Sequence, residues 1–216
     1  MLSFQVFGQT LPIPEVLYYK FNESGTTVTN YASAPPAGTA TATILGAITQ
    51  GTAGSSCDGA LIGSGVTSTT DYLNTGWAPN IGNGAWSIVF TTSGISANST
   101  LYYIFGDVNS NSLRCFTNGV AGANNWIIRG GGLTDTYING GALTTETTCA
   151  FVYDPAMNNL KGYLNGVLVS TVAQTAPNIS GTGPFKVMGY SSNVGAPAGG
   201  LMEEFMMYNH ALTDTE

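Results

Sequence analysis

At 216 residues the chain has the length of one domain, so a single core is expected. Five Lys and Arg stand against twelve Asp and Glu, a net charge of -7 with only 8% of residues charged. The cations Lys20, Arg114, Arg129, Lys161 and Lys186 are scattered singly, which excludes a phosphate-binding stripe for nucleic acid and argues against attraction to an acidic membrane surface.

The first 15 residues, "MLSFQVFGQTLPIPE", lack a basic region followed by a long apolar run, so no signal peptide is recognisable. Nor does any stretch reach the roughly 18 apolar residues of a membrane span. Leu2, Phe4, Val6, Phe7, Leu11 and Ile13 are too apolar for a solvated tail, while Pro12 and Pro14 disfavour an inner strand. Residues 1–15 therefore read as an extended N-terminal arm, laid on its own sheet edge or on a neighbouring subunit.

Beyond the arm, short β-branched and aromatic runs alternate with Gly, Asn, Pro and Ser: "VLYYKF" (16–21), "TATILGAIT" (41–49), "AWSIVFTT" (85–92), "LYYIFGD" (101–107), "SLRCFT" (112–117) and "NWIIRG" (125–130). "TCAFVYD" (148–154), "LKGYLNGVLVSTV" (160–172), "FKVMGY" (185–190) and "LMEEFMMYN" (201–209) continue the pattern. Period-2 alternation at this spacing predicts an antiparallel sandwich, with no long amphipathic helix, linker or repeat to mark a second domain. Asn165-Gly166, between two alternating runs, predicts a two-residue hairpin, because a type I′ turn needs positive φ at both central positions.

Candidate chemistry is sparse. Asp58, Asp71, Asp107 and Asp154 lie in or beside predicted turns, where carboxylates cap backbone N–H groups. Trp77, in "NTGWAPNIGNG", and Trp126, preceded by Asn124 and Asn125, sit among the amides and glycines that a sugar-binding loop uses beside an aromatic face; Trp86 opens an alternating strand and reads as core. The triple glycine at 130–132 lacks the Lys and the helix of a phosphate loop. Cys57, Cys115 and Cys149 are odd in number, allow at most one bridge, show no CxxC spacing and read as buried thiols. His210 is the only histidine, with no nucleophile motif to serve, and reads as a turn residue. Glu203 and Glu204 are adjacent in a strand, so strict alternation sends them to opposite faces, away from any shared glycosidic bond.

The order "VLYYKFNESGTTVTNYAS", "WSIVFTTS", "TTCAFVYDPAMNNLKGYLNGVLVSTV" and "FKVMGYSSNVGAPAGGLMEEFMMYNHALTDTE" resembles the laminin-G-like jelly rolls of the concanavalin A-like lectin/glucanase superfamily, across residues 16 to 215. The resemblance implies an all-β fold, a two-sheet antiparallel jelly-roll β-sandwich over residues 16–216 with its first and last strands close together. It implies binding of carbohydrate or protein more often than hydrolysis, and calcium at a sheet edge, for which Asp58, Asp71, Asp107 and Asp154 are the available oxygen ligands. Retaining glucanases of the superfamily carry their acids at alternate positions on one strand, whereas here Glu203 precedes Glu204 directly.

The expectation is a non-catalytic binding or adhesion module, extracellular or on a cell or virion surface, with glycan as the leading ligand and a surface protein as the other partner class. Its rival is a structural protein decorating a virion or an extracellular assembly, self-associating through the N-terminal arm. The missing leader, the charge-poor Thr/Ser/Asn/Gly surface and the apolar arm keep that rival in play.

Overall fold

The computed structural model describes residues 11–52, 59–66, 69–140, 145–191 and 195–216. The strands in chain order are β1 (Leu17–Tyr19), β2 (Thr27–Thr29), β3 (Thr41–Leu45), β4 (Thr49–Gly51), β5 (Ala60–Ile62), β6 (Tyr72–Asn74), β7 (Asn80–Gly82), β8 (Trp86–Ser93) and β9 (Tyr102–Gly106). They continue as β10 (Leu113–Thr117), β11 (Trp126–Gly130), β12 (Leu133–Ile138), β13 (Thr147–Asp154), β14 (Asn159–Leu164), β15 (Val167–Ala173), β16 (Ile179–Ser180), β17 (Lys186–Val187) and β18 (Leu201–Tyr208). Among the described residues the one helical element is a 3-10 turn at Gly119–Ala121.

Two antiparallel sheets face each other. The first runs β15-β14-β13-β8-β18-β5-β4, with β1 alongside β18; the second runs β12-β11-β10-β9-β17-β6-β3-β2. The first and last strands do lie together, Leu17 opposite Met207 and Tyr19 opposite Phe205. This is the antiparallel sandwich expected from the alternating runs and the jelly roll that the resemblance implies.

Alternation fills the space between the sheets. Trp86, Ile88 and Phe90 of β8 face inward with Phe151 and Tyr153 of β13 and Phe205 and Met207 of β18, and meet Phe105, Leu113, Trp126, Ile128 and Val187 from the second sheet. Phe90 lies at the centre, edge-on to Phe105 at 5.4 Å and to Trp126 at 5.3 Å. Such offset and edge-on pairs add to the area term because ring edges are positive and ring faces negative. Cys115 and Cys149 are free and buried in this core, and burial pushes both thiols up; Cys57 lies outside the described residues.

The predicted hairpin is present. Asn165 (φ 49) and Gly166 (φ 77) join β14 to β15, the Asn165 backbone N–H donates to Thr148 O, and its side chain accepts from Thr148 N. By contrast "FKVMGY" pairs over two residues only, since Met188 takes φ 54 and leaves the sheet.

Residues 11–15 of the expected arm rest on their own domain. Leu11 packs on Val89, Val152, Met206, Tyr208 and Leu212, the outer side of the first sheet. Pro12 O accepts from the Tyr208 hydroxyl, Pro14 O accepts from Ser33, and His210 Nδ1 meets Glu15 at 3.2 Å. Residues 1–10 lie outside the described residues. With Leu11 and the C-terminal residues over it, the outer side of the first sheet is partly covered; on the outer side of the second sheet Lys186, Phe116 and Ile127 are buried and Tyr72, Arg114 and Arg129 half-buried.

Candidate functional site

On the outer side of the second sheet, cross-strand register gathers side chains that are far apart in the chain. Lys186 of β17 is opposite both Asn74 of β6 and Gly106 of β9, Gly106 is opposite Arg114 of β10, and Arg114 is opposite Arg129 of β11. One row thus reads Asn74, Lys186, Gly106, Arg114, Arg129. Three of the five cations in the chain stand in it.

The row is flanked by tyrosines. Tyr72 lies beneath Lys186, whose ammonium sits 4.0 Å from the ring centroid. Tyr103 and Tyr190 stack at 4.5 Å, and the Arg114 guanidinium sits 5.3 Å from the Tyr190 centroid. Arg129 lies against Phe116 and grips Asp135 through two parallel bonds, Nε to Oδ1 at 2.8 Å and Nη2 to Oδ2. Tyr137 of β12 completes this side, packed with Leu101 and Tyr103 on Phe116, Ala121 and Ile127.

The cations differ in what holds them. Arg129 is neutralised by Asp135. Lys186 is 9% exposed; burial lowers its ammonium pKa, against the charge of nearby Asp107. Arg114 is half-buried and, among the described residues, enters no salt bridge. Gly106 permits this layout, because a Cβ there would come within 2.6 Å of the Arg114 Cβ. Gly106 itself is buried, with Arg114 packed directly against it.

The expected site residues fall elsewhere. Trp126 is 0% and Trp77 7% exposed, so neither offers a face to a sugar and the sugar-binding reading of both is corrected, although Trp77 does lie in the loop between β6 and β7. Trp126 opens β11 and points inward with Ile128, while Trp77 is locked edge-on against Phe185 at 5.4 Å, its carbonyl accepting from Phe185 N. Asn124 adopts φ 64, and Asn125 spends its amide on Ala121 O and Gly140 N. Both shape the turn before β11. Trp86 is core, as its alternating run predicted.

Of the aspartates, Asp71 is 5% exposed and accepts from Ala47 N, Ser64 Oγ and Thr70 Oγ1. Burial alone would raise its pKa, but those three donors hold it below the ordinary carboxylate range. Asp107 is fully buried and accepts from Asn109 N and Gly183 N; Asp154 caps the turn at Ala156. Asp58 lies outside the described residues. Among the described residues no three acidic, His or Cys side chains converge as a metal would require.

The carboxylate pair corrects the strict-alternation expectation. Met202 is opposite Thr92 and Glu204 opposite Thr91, so Glu203 is the extra residue of a β-bulge. Met202, Phe205 and Met207 face the core, Glu204 shares the outer side with Met206 and Tyr208, and Glu203 reaches the outward Ser93 Oγ at 3.0 Å. Both carboxylates therefore lie on one side. Glu203 is nonetheless 1% exposed, and Glu204 accepts from the Tyr18 hydroxyl at 3.3 Å. Hydrolysis with retention needs two carboxyl groups open to one bond, about 5 Å apart, and a sealed Glu203 does not meet that condition. His210 bonds Glu15 and packs edge-on to Tyr208, a role in the fold.

A pocket of about 260 Å³ opens on the other sheet, lined by Leu11, Ala150, Tyr163, Leu212, Asp214 and Glu216 among others. Its walls are largely the chain's own C-terminal residues, and its floor is apolar. The sequence missed the tyrosine and cation row because no two of its cations are neighbours in the chain; the one local signal was an outward Arg within each of "SLRCFT" and "NWIIRG".

A family profile for the Concanavalin A-like lectin/glucanases superfamily matches residues 90–216, more than half of the chain. No curated protein matches. Among solved structures, the binding domain of Paraclostridial Mosquitocidal Protein 1 is similar with a TM-score of 0.72 and 10% identity, over 93% of this chain and 50% of that one. The binding domain of Botulinum Neurotoxin serotype G gives a TM-score of 0.65 at 12% identity, over 89% and 49%. Domain 4 of AbnA, an extracellular GH43 arabinanase from Geobacillus stearothermophilus in complex with arabinotriose, gives 0.62 at 16% identity, over 94% and 95%. The chain thus spans about half the length of the two binding domains and nearly all of the arabinanase domain. At these identities the likeness is one of fold.

Proposed function

The chain belongs to the concanavalin A-like lectin/glucanase superfamily, and from that premise we propose that it is a non-catalytic, glycan-binding module working outside the cell or at a surface. The observation that carries this reading is the row of half-buried Arg114 and Arg129 and buried Lys186 among the half-buried Tyr72, Tyr103, Tyr137 and Tyr190. Sugars are bound by ring faces and edges against their C–H surfaces, and by fixed donors against their hydroxyls. The row supplies both on a rigid sheet. The AbnA domain, of similar fold and size, was solved with arabinotriose, which supports a sugar as the ligand class. No helix in the described residues is long and apolar enough to cross a membrane.

The test is a glycan array probed with the parent protein and with a Tyr72→Ala/Tyr190→Ala double variant. Retention of defined glycans by the parent, weakened about tenfold or more in the variant, is expected, in line with about 0.5–1.5 kcal/mol per aromatic contact. A parent that retains no glycan, or a variant that binds equally, overturns the site.

A second reading, self-association, is favoured by β15. This edge strand leaves Val167, Leu168 and Val169 exposed at 62%, 46% and 43% and carries no charge, whereas soluble proteins usually protect a sheet edge with charges.

A further inference from the structure

We propose a second sugar site at one end of the sandwich: a groove between β7, the β13–β14 turn and the β15–β16 loop that takes a neutral oligosaccharide. It uses none of the residues of the tyrosine and cation row, so the two sites stand or fall separately.

Register brings the walls together. Tyr153, near the end of β13, is opposite Trp86, which opens β8, and opposite Leu160 near the start of β14; Asn159 is opposite Ala173, which ends β15. These strand ends meet, and their connections leave a groove of about 550 Å³, within the range of about 300–1,000 Å³ that small-molecule sites occupy. The walls are tied to one another through the main chain: Gln174 N donates to Asn158 O, and Ile179 of β16 is opposite Gly82 of β7. The triple glycine at 130–132 supports the β15–β16 wall. Gly131 O accepts from Asn178 N, and a Cβ on Gly132 would come within 3.1 Å of Ala176 O. A groove fixed in this way needs little ordering when a ligand enters.

The lining selects an uncharged ligand, because it contains no charged residue. Asn83, Asn158, Thr175 and Asn178 are exposed there, and none of these side chains has a hydrogen-bond partner among the described residues. Each amide offers donors and an acceptor together, which is what neighbouring sugar hydroxyls require. Pro155 and Pro177 give the lining its apolar part.

One buried side chain at the groove also lacks a partner. Tyr153 is 2% exposed, and its backbone is enclosed in the ladder between β8 and β14, so it borders the groove with its side chain. The ring packs on Trp86 at 6.0 Å between centroids. Its hydroxyl makes no hydrogen bond to any described residue, and burial pushes its pKa up, which keeps it a neutral donor. A buried hydroxyl without a partner is costly, and a sugar hydroxyl in the groove supplies the missing bond.

The experiment uses the intact chain labelled with nitrogen-15. Cellohexaose, maltohexaose, mannohexaose and chitotetraose are titrated in, with a hyaluronan oligosaccharide as the charged comparison. The side-chain amide resonances of Asn83, Asn158 and Asn178 are followed, each assigned from its own Asn→Ala variant. At least one neutral oligosaccharide should shift all three saturably, with the same affinity at low and high salt, since no charge pair is there to be screened. Asn83→Ala/Asn178→Ala should weaken binding about tenfold or more, two hydrogen bonds being removed. Tyr153→Phe should weaken it about threefold or more without lowering the melting temperature, because the hydroxyl has no partner in the fold to lose. Amide resonances that no neutral oligosaccharide moves, equal binding by the double variant, tighter binding of hyaluronan, or a Tyr153→Phe melting temperature lower by several degrees would each overturn the proposal; the first and third are read on the parent and do not depend on any variant folding. Neutral binding lost in Tyr72→Ala/Tyr190→Ala yet kept in the groove variants sinks this inference and leaves the tyrosine row standing, whereas a parent that binds no sugar at all sinks both.

Discussion

Replacing Gly166 with Val tests the hairpin that the sequence announces most strongly. Gly166 holds φ 77 and an added Cβ meets nothing within 4 Å, so Val causes no collision and its whole cost is backbone. A β-branched residue forced into the left-handed region carries strain of about 2–3 kcal/mol. Loss of glycine's freedom in the unfolded chain returns up to about 1 kcal/mol. The net loss is about 1–2 kcal/mol, a melting-temperature drop of about 2–8 °C for a chain of this size. Urea unfolding followed by tryptophan fluorescence should show a lower midpoint with an unchanged slope, because the surface exposed on unfolding hardly differs. Gly166→Ala should fall between parent and Val. Equal midpoints for all three would refute the claim that strain at this φ, rather than packing, fixes the residue.

Asp71→Asn should lower stability by about 1–3 kcal/mol at neutral pH, since three donors lose a charged acceptor. Asp71 is held below the ordinary carboxylate range, so its contribution is complete above that range and disappears as pH falls through its folded-state value. Melting curves from pH 7 downward should therefore converge for parent and variant in acid, and parallel curves would contradict the assignment. Calcium that binds only the folded chain would raise the melting temperature by mass action; because Asp71 and Asp107 already accept donors from the chain, their Asn variants should lose the same stability in millimolar calcium as in chelator. The parent should release no reducing ends from laminarin or agarose, and release abolished by Glu203→Gln or Glu204→Gln would restore a hydrolase. Removing residues 1–14 deletes Leu11 and the acceptors Pro12 O and Pro14 O, so the melting temperature should drop by several degrees, an effect of about 1–2 kcal/mol. An unchanged melting temperature would show those contacts to be worth nothing.

Much of the fold was legible because strands announce themselves locally. Alternation in "WSIVFTTS" and "TCAFVYD" fixed which residues of β8 and β13 face the core, and Asn165-Gly166 fixed one turn from backbone sterics alone. Neighbouring residues impose these features on each other. The failures share a cause: each depended on a partner strand. Whether Glu203 and Glu204 share a side was decided by one extra residue against Thr91 and Thr92 of β8, which period-2 reasoning along β18 does not contain. Trp126 looked like a loop residue because its chain neighbours are polar, yet pairing with Thr117 and Ile138 turned it inward. The candidate site is the extreme case. Arg114, Arg129 and Lys186 are isolated charges along the chain, and only antiparallel pairing of β17, β9, β10 and β11 sets them in one row, because adjacency in a sheet is set by register and not by sequence distance.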